Sequence, residues 1–399
     1  MLGLFCIIFL RVSFRPIGGK NMYKIIDRFI DKLMTSEPDK PLWNIESIRQ
    51  GKKPAWNYID GCMIASLLQL YEVTNEQKYL DFVIKFVDYY VNEDGTILGY
   101  EKEKYSTDDL SESRVLFDLY KYTKKEKYLK AINMCYEQVK THPRTKEGNF
   151  WHKQIYHDQV WLDGLYMMQV FYTRYETEFN GMQNYPDIVN QFKNVYNIMR
   201  NPETGLYYHG YDSEKTMFWA DKETGLSQNY WLRSIGWYTV ALADVYGYMD
   251  EQIFDDRQTI KKIFKDTVDG IIQYQDYDSK MFWQVPNYPE CEGNYLETSG
   301  SCMLAYALLK GVRLKALPER YRQVGLDIFA GVCDKYLTIK DDGDLNLGGI
   351  CLVAGLGPEG NERRDGSYEY YISEPIVEND AKGVGPFIMA YTEVKALKR

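Results

Sequence analysis

Carboxylates standing among aromatic rings are the side chains of this sequence best suited to proton chemistry. Asp163 lies in Trp161-Leu162-Asp163-Gly164-Leu165-Tyr166-Met167, a few residues after Phe150-Trp151-His152-Lys153. Burial against rings raises a carboxyl pKa and a helix N-terminus lowers it, so a carboxyl placed there is tuned for both acid and base work. A plain capping carboxylate is the alternative at such a helix start. Asp108 and Asp109 open the segment DDLSES. If neighbouring helices start at one level, one of the two stands beside Asp163, where its charge favours the protonated form of its partner. The alternative there is a solvated acidic cap.

The sequence holds 4 His. His142, next to Pro143, reads as a turn residue outside any site, whereas His152 and His157 precede Asp163 and His209 lies in YYHGYD. His152 and His209 are expected in the site, His157 less so. No HxH, HExxH or Cys/His spacing is present, so neither a metal nor an organic cofactor is expected. Trp231, Arg233 and Trp237 fall in WLRSIGWY, with Arg233 and Trp237 on one helical face. A guanidinium there suits bidentate recognition of a carboxylate, and the indoles suit stacking on a sugar ring. Pairing of Arg233 with one of the chain's own acids is the alternative. GxSxG, Walker and GxGxxG patterns are all missing, which removes serine hydrolases, nucleotide hydrolases and dinucleotide enzymes.

The elements that must position these residues follow from composition and periodicity. The chain has 399 residues, 45% of them hydrophobic, and a formal net charge of -9. That content supports a folded core, while the charge disfavours nucleic acid and anionic membrane surfaces as partners. The 36 Tyr, 17 Phe and 8 Trp provide many stacking faces, a first pointer to carbohydrate. Its 7 Cys are scattered without a CxxC pair and are expected as free thiols. Tyr71-x-x-Thr74-x-x-x-Lys78-Tyr79-Leu80 recurs 49 residues later as Tyr120-x-x-Thr123-x-x-x-Lys127-Tyr128-Leu129. Gln77 and Glu126 stand three residues after the Thr in each copy, so capping boxes and helix starts are expected there. Tyr79, Phe82, Val83, Phe86, Val87 and Tyr90 then mark one face of an amphipathic helix.

Six polar or glycine-containing stations each precede an apolar helix: WNYIDG, DDLSES, WLDG, WLRSIG, LETSGS and NDAKGVG. Amphipathic segments such as DIVNQFKNVYNIM and IKKIFKDTVDGIIQY alternate with them, and the N-terminal YKIIDRFIDKLM can close the circle. Six buried and six amphipathic helices predict an all-α (α/α)6 barrel, a six-hairpin toroid, with the stations around one funnel. Residues 22–399 are expected as a single domain and residues 1–21 as an unstructured or mis-called extension, Met22 being the expected start. The apolar run Leu2–Leu10 is too short to span a bilayer and lacks the flanks of a signal peptide, so the protein is expected in the cytoplasm. A periplasmic location would follow if that run were an export signal.

In order and spacing, GNFWHK, WLDGLYM, TGLYYHGYD, WLRSIGWY, LETSGSCM and NDAKGVGPFIMA resemble the unsaturated rhamnogalacturonyl hydrolases, family 105 of the glycoside hydrolases, from about Tyr23 to the C-terminus. The resemblance implies the same (α/α)6 barrel and a small oligosaccharide substrate left by a polysaccharide lyase. The sugar removed is a uronate with a C4=C5 double bond. It implies further that Asp163 protonates C4 and assists water at C5, that Asp108 is the second carboxylate, and that Trp56, Tyr58, His152, His209, Arg233 and Trp237 form the pocket. Related unsaturated glucuronyl hydrolases, or a sugar-binding toroid without catalysis, are the alternatives.

Overall fold

The computed structural model describes residues 20–340 and 343–397. The expected extension therefore lies outside the described residues up to position 19, and the helix expected from Met22 already begins at Lys20. In chain order the helices are α1 (Lys20–Leu33), α2 (Ile45–Gln50), α3 (Tyr58–Thr74), α4 (Gln77–Tyr90), α5 (Thr107–Ser113), α6 (Val115–Thr123), α7 (Glu126–Thr141) and α8 (Leu162–Phe179). They continue as α9 (Tyr185–Ile198), α10 (Leu232–Tyr248), α11 (Phe254–Ile271), α12 (Thr298–Arg313), α13 (Tyr321–Tyr336), α14 (Tyr368–Ser373) and α15 (Ala381–Ala396).

Helices α3, α5, α8, α10, α12 and α15, each opening at one of the stations, pack in that order, and α15 returns to α3. The ring is closed. Apart from the short, polar α5, these inner helices are apolar nearly all round and largely buried, as α10 is from Leu232 to Tyr246. Outside them lie α4, α7, α9, α11 and α13, each burying one face; in α4 that face is Tyr79, Leu80, Val83, Phe86, Val87 and Tyr90. The sixth outer position falls to α1. Its Asp27 accepts a hydrogen bond from Tyr391 at 2.9 Å and pairs with Lys395, both on α15, so the two ends of the described chain are joined.

The expected capping boxes do not form. Thr74 ends α3, its hydroxyl donating to the Leu70 carbonyl at 2.7 Å and accepting from the Glu76 N–H at 3.3 Å. Thr123 does the same with Leu119 and Lys125 at the end of α6. Asn75 and Lys124 then take left-handed conformations, at φ 62° and 56°, and the outer helices start two residues later. The repeated motif thus marks the corner between an inner and an outer helix. Three two-stranded antiparallel ribbons, absent from the all-helical expectation, pair β1 (Gln159–Trp161) with β2 (Gly210–Asp212), β3 (Leu337–Ile339) with β4 (Leu345–Leu347), and β5 (Ile350–Cys351) with β6 (Ile376–Val377).

Close approach of the inner helices depends on small residues at their crossings. A Cβ added at Gly385 on α15 would lie 2.7 Å from the Cys62 carbonyl oxygen on α3. Gly385→Val is therefore expected to force the closing pair of helices apart and to lower the unfolding free energy by about 1–3 kcal/mol, read by urea unfolding. An unchanged midpoint and slope would contradict this account of ring closure.

Candidate active site

Three inner helices, α3, α5 and α8, bring their first turns to one cavity of about 280 Å³, whose walls include Tyr58, Asp108, Asp109 and Asp163. Their N-termini favour negative charge at this end of the ring. Asp163 is the second residue of α8 and owes its surroundings to the β1–β2 ribbon. In that ribbon Trp161 pairs with Gly210, and the Leu162 N–H donates to the His209 carbonyl at 3.1 Å. The register sets His209 Nε2 3.2 Å from Asp163 Oδ2, and neither atom hydrogen-bonds to another group. On its far side His209 Nδ1 shares a 2.7 Å hydrogen bond with the Tyr371 hydroxyl on α14.

The loop carrying His152 and Lys153 is pinned at both ends of its short path. His152 N–H donates to Gln159 at 2.9 Å, and its carbonyl accepts from Thr107 N–H at the start of α5 at 3.2 Å. The imidazole stacks on Trp161, ring centres 4.4 Å apart, and lies so close to α8 that a Cβ at Gly164 would meet Nδ1 at 3.2 Å. Lys153 Nζ then reaches Asp108 Oδ2 at 2.5 Å, with His152 Nε2 3.8 Å from the other oxygen.

Burial works to raise the Asp108 carboxyl, but the Lys153 ammonium, helped by His152, overrides it and holds Asp108 below its ordinary value. Lys153 is raised in turn, the charge of Asp108 outweighing its own burial. Asp109 lacks such a cation: burial first, then the charge of Asp108, pushes it up to about 7. Burial lowers His152 to about 4 against the pull of Asp108, so at neutral pH it is an uncharged ring. Burial likewise keeps the Tyr58 and Tyr371 phenols protonated.

The cavity thus gathers Tyr58, Asp108, His152 and Asp163, with His209 directly behind Asp163. Four other expected residues do not reach its wall. Trp56 donates to the Asp109 carbonyl at 3.1 Å and bonds Ser113, Trp231 donates to Gln284, and Trp237 stacks on Tyr166 at 4.4 Å inside the ring. The expectation that Arg233 receives a substrate carboxylate is corrected as well. Its Nε donates to Ser299 at 2.8 Å, Nη2 donates to the Cys351 carbonyl, and Glu297 stands 3.7 Å away, all buried. The alternative of pairing with an acid of the chain itself is the one adopted. His142 is a structural residue, facing the Trp151 carbonyl at 2.8 Å, and His157 lines a separate outer groove. Sequence reasoning passed over Lys153, although it adjoins His152, and over Arg364 on the far wall, which carries no periodic signal. Among the described residues no group of three or more His, Cys, Asp or Glu is placed to hold a metal ion.

The toroid agrees with what comparison with known proteins finds. The model of Glycosyl Hydrolase Family 88 matches residues 25–398, and the chain belongs to that family. A solved glycoside hydrolase of family 105 from C. acetobutylicum is 43% identical, with a TM-score of 0.85 over 93% of this chain and 98% of its own. The unsaturated rhamnogalacturonyl hydrolase YesR of Bacillus subtilis is 26% identical over 266 residues, 65% of this chain and 72% of that protein. An unsaturated glucuronyl hydrolase from Streptococcus agalactiae shares the fold, with a TM-score of 0.65 at 14% identity over 96% of this chain and 93% of its own.

Removing the Lys153 charge should leave Asp108 as an unbalanced buried anion. Water reaches the pair through the cavity, so the cost of Lys153→Met is expected at roughly 1–3 kcal/mol at pH 7, below that of a fully enclosed pair. Because the folded-state pKa of Asp108 is depressed, its stabilising contribution is present above the unfolded value of about 4 and is lost as pH falls through the folded one. The gap between parent and variant should therefore close in acid, and denaturation curves at pH 7 and pH 3 with equal gaps would refute the pairing.

Proposed function

We propose that this glycosidase removes a 4,5-unsaturated uronate from the non-reducing end of lyase-generated oligosaccharides, with Asp163 as proton donor. The observation that carries the reading is the meeting of Asp163, backed by His209, with ionised Asp108 in one cavity. The C4=C5 bond of such a sugar is a vinyl ether. A proton from Asp163 to C4 leaves positive charge shared by C5 and the ring oxygen, and the negative field of ionised Asp108 stabilises that charge as it develops. Water then adds at C5, giving up its proton to the Asp163 carboxylate, and the resulting hemiketal opens to release the second sugar. No glycosidic oxygen is protonated at the outset, so the carboxylate spacing of ordinary glycosidases sets no constraint. A rhamnogalacturonan-type substrate is the preferred choice, supported by the likeness to YesR. Residues 22–399 are read as one catalytic domain, supported by the contact of α15 with α3 and the family match over 25–398.

Asp109 favours one variation on this scheme. A carboxyl pushed up to about 7 keeps a proton on about half of the molecules at neutral pH, which suits it as the donor in place of Asp163. Substitution separates the two. Asp163→Asn should fold normally, still bind the unsaturated disaccharide, and lower kcat about 10²–10⁴-fold, the usual share of general acid catalysis, as followed by loss of the enol-ether ultraviolet absorbance. Wild-type turnover by Asp163→Asn, with activity lost in Asp109→Asn, would transfer the role to Asp109. Equal cleavage of saturated uronosides by the parent enzyme would end the vinyl-ether mechanism altogether.

A further inference from the structure

Three cations near the cavity are bound to groups of the protein. Lys153 holds Asp108, Lys382 holds Glu46 and Asp380 at 3.2 Å each, and Arg233 is enclosed by Ser299, the Cys351 carbonyl and Glu297. Arg364 is half-buried in the cavity wall, and its guanidinium makes no ion pair or hydrogen bond among the described residues. Its neighbour Arg363 behaves differently, pairing with Glu374 at 2.7 Å.

The position of Arg364 is built by the backbone. Its N–H donates to the Asn361 carbonyl at 3.2 Å and its own carbonyl accepts from Gly357 at 2.9 Å, which closes the turn. The next two residues are anchored to the chain leading into α10, with Gln228 donating to the Asp365 carbonyl at 3.0 Å and Asn229 to that of Gly366 at 2.9 Å. Side-chain placement follows from Gly355. A Cβ there would lie 3.5 Å from Arg364 Nη1 and 3.2 Å from the Trp161 ring, so the guanidinium lies near the indole that leads into Asp163. An uncompensated planar cation held beside an acid-bearing helix start is a receptor for an anion, and a guanidinium suits a carboxylate best.

We propose that Arg364 binds a carboxylate of the substrate and sets the enzyme's preference for acidic sugars, the role expected from sequence for Arg233. The inference rests on the proposed function, and the carboxylate concerned belongs either to the unsaturated uronate itself or to an acidic sugar following it. Arg364→Gln and Arg364→Lys are to be compared with the parent on an unsaturated uronyl-rhamnose disaccharide, on its methyl ester, and on an unsaturated disaccharide with an acidic second sugar. With the uronate as the partner, Arg364→Gln raises KM roughly 10- to 100-fold on the free acid with a neutral second sugar, leaving kcat within a few-fold. The methyl ester then shows no further loss, Arg364→Lys recovers part of the affinity, and the melting temperature is unchanged. A rise in KM confined to the acidic second sugar places the carboxylate there and still supports the receptor. Parent-like KM on every acidic substrate overturns it. Should the parent leave all three substrates unconsumed, the function reading fails by itself. Arg364 is then judged by calorimetry with galacturonic acid, where loss of binding in Arg364→Gln supports the receptor and equal binding overturns it.

Discussion

The contact between Lys153 and Asp108 governs the electrostatics of the site. Two inner helices direct Asp108 and Asp109 of α5 and Asp163 of α8 into one cavity, and burial by itself raises the Asp108 and Asp109 carboxyls. A single ammonium at 2.5 Å keeps Asp108 ionised. The charge retained on Asp108 then adds to burial in lifting Asp109 to about 7, while His152, too deep to gain a proton from the same charge, remains a neutral ring against Trp161. One cation thereby distributes three protonation states. Lys153 holds its place because the Thr107 N–H grips the carbonyl of the preceding residue, so the loop and the start of α5 move together.

Legibility in the sequence followed the physics of each feature. Helices buried all round have a recognisable composition, and six of them separated by amphipathic segments leave little choice but a ring. The helix starts were readable for the same reason. Capping boxes were misassigned because a threonine three residues before Gln or Glu can close one helix as readily as open the next. Only the left-handed Asn75 and Lys124 decide between these, and their conformation is a property of the packed corner.

The aromatic and cationic residues of the fourth station show where pattern reading stops. Arg233 and Trp237 do share a helix face, but periodicity cannot say whether that face meets the funnel or a neighbouring helix. Trp237 meets Tyr166 of α8, whose ring also carries the Arg114 guanidinium at 4.2 Å, and Arg233 meets the first turn of α12 through Ser299. A toroid of six inner helices has a wide axis to fill, and large rings fill it, so a tryptophan at a station is as much a packing residue as a sugar platform. Arg364 lies about two hundred positions from Asp163 in a loop without periodicity, and only the folded excursion carries it back to the Trp161 ring.

Under the proposed mechanism, the placing of Asp163 beside His209 bears most directly on how one carboxyl can serve as acid and then as base. Tyr371 stays a phenol, and its oxygen can either donate to His209 Nδ1 or accept from it, so the imidazole is free to present a lone pair or an N–H to Asp163. Nε2 stands 3.2 Å from Asp163 Oδ2 and neither atom has a hydrogen-bond partner, so what the ring presents to the carboxyl is set from its Tyr371 side. In the proposed mechanism the tautomer on His209, fixed by the direction of the Tyr371 hydrogen bond, decides which ring atom faces the Asp163 carboxyl, and α14 takes part through a side chain that stands behind the site.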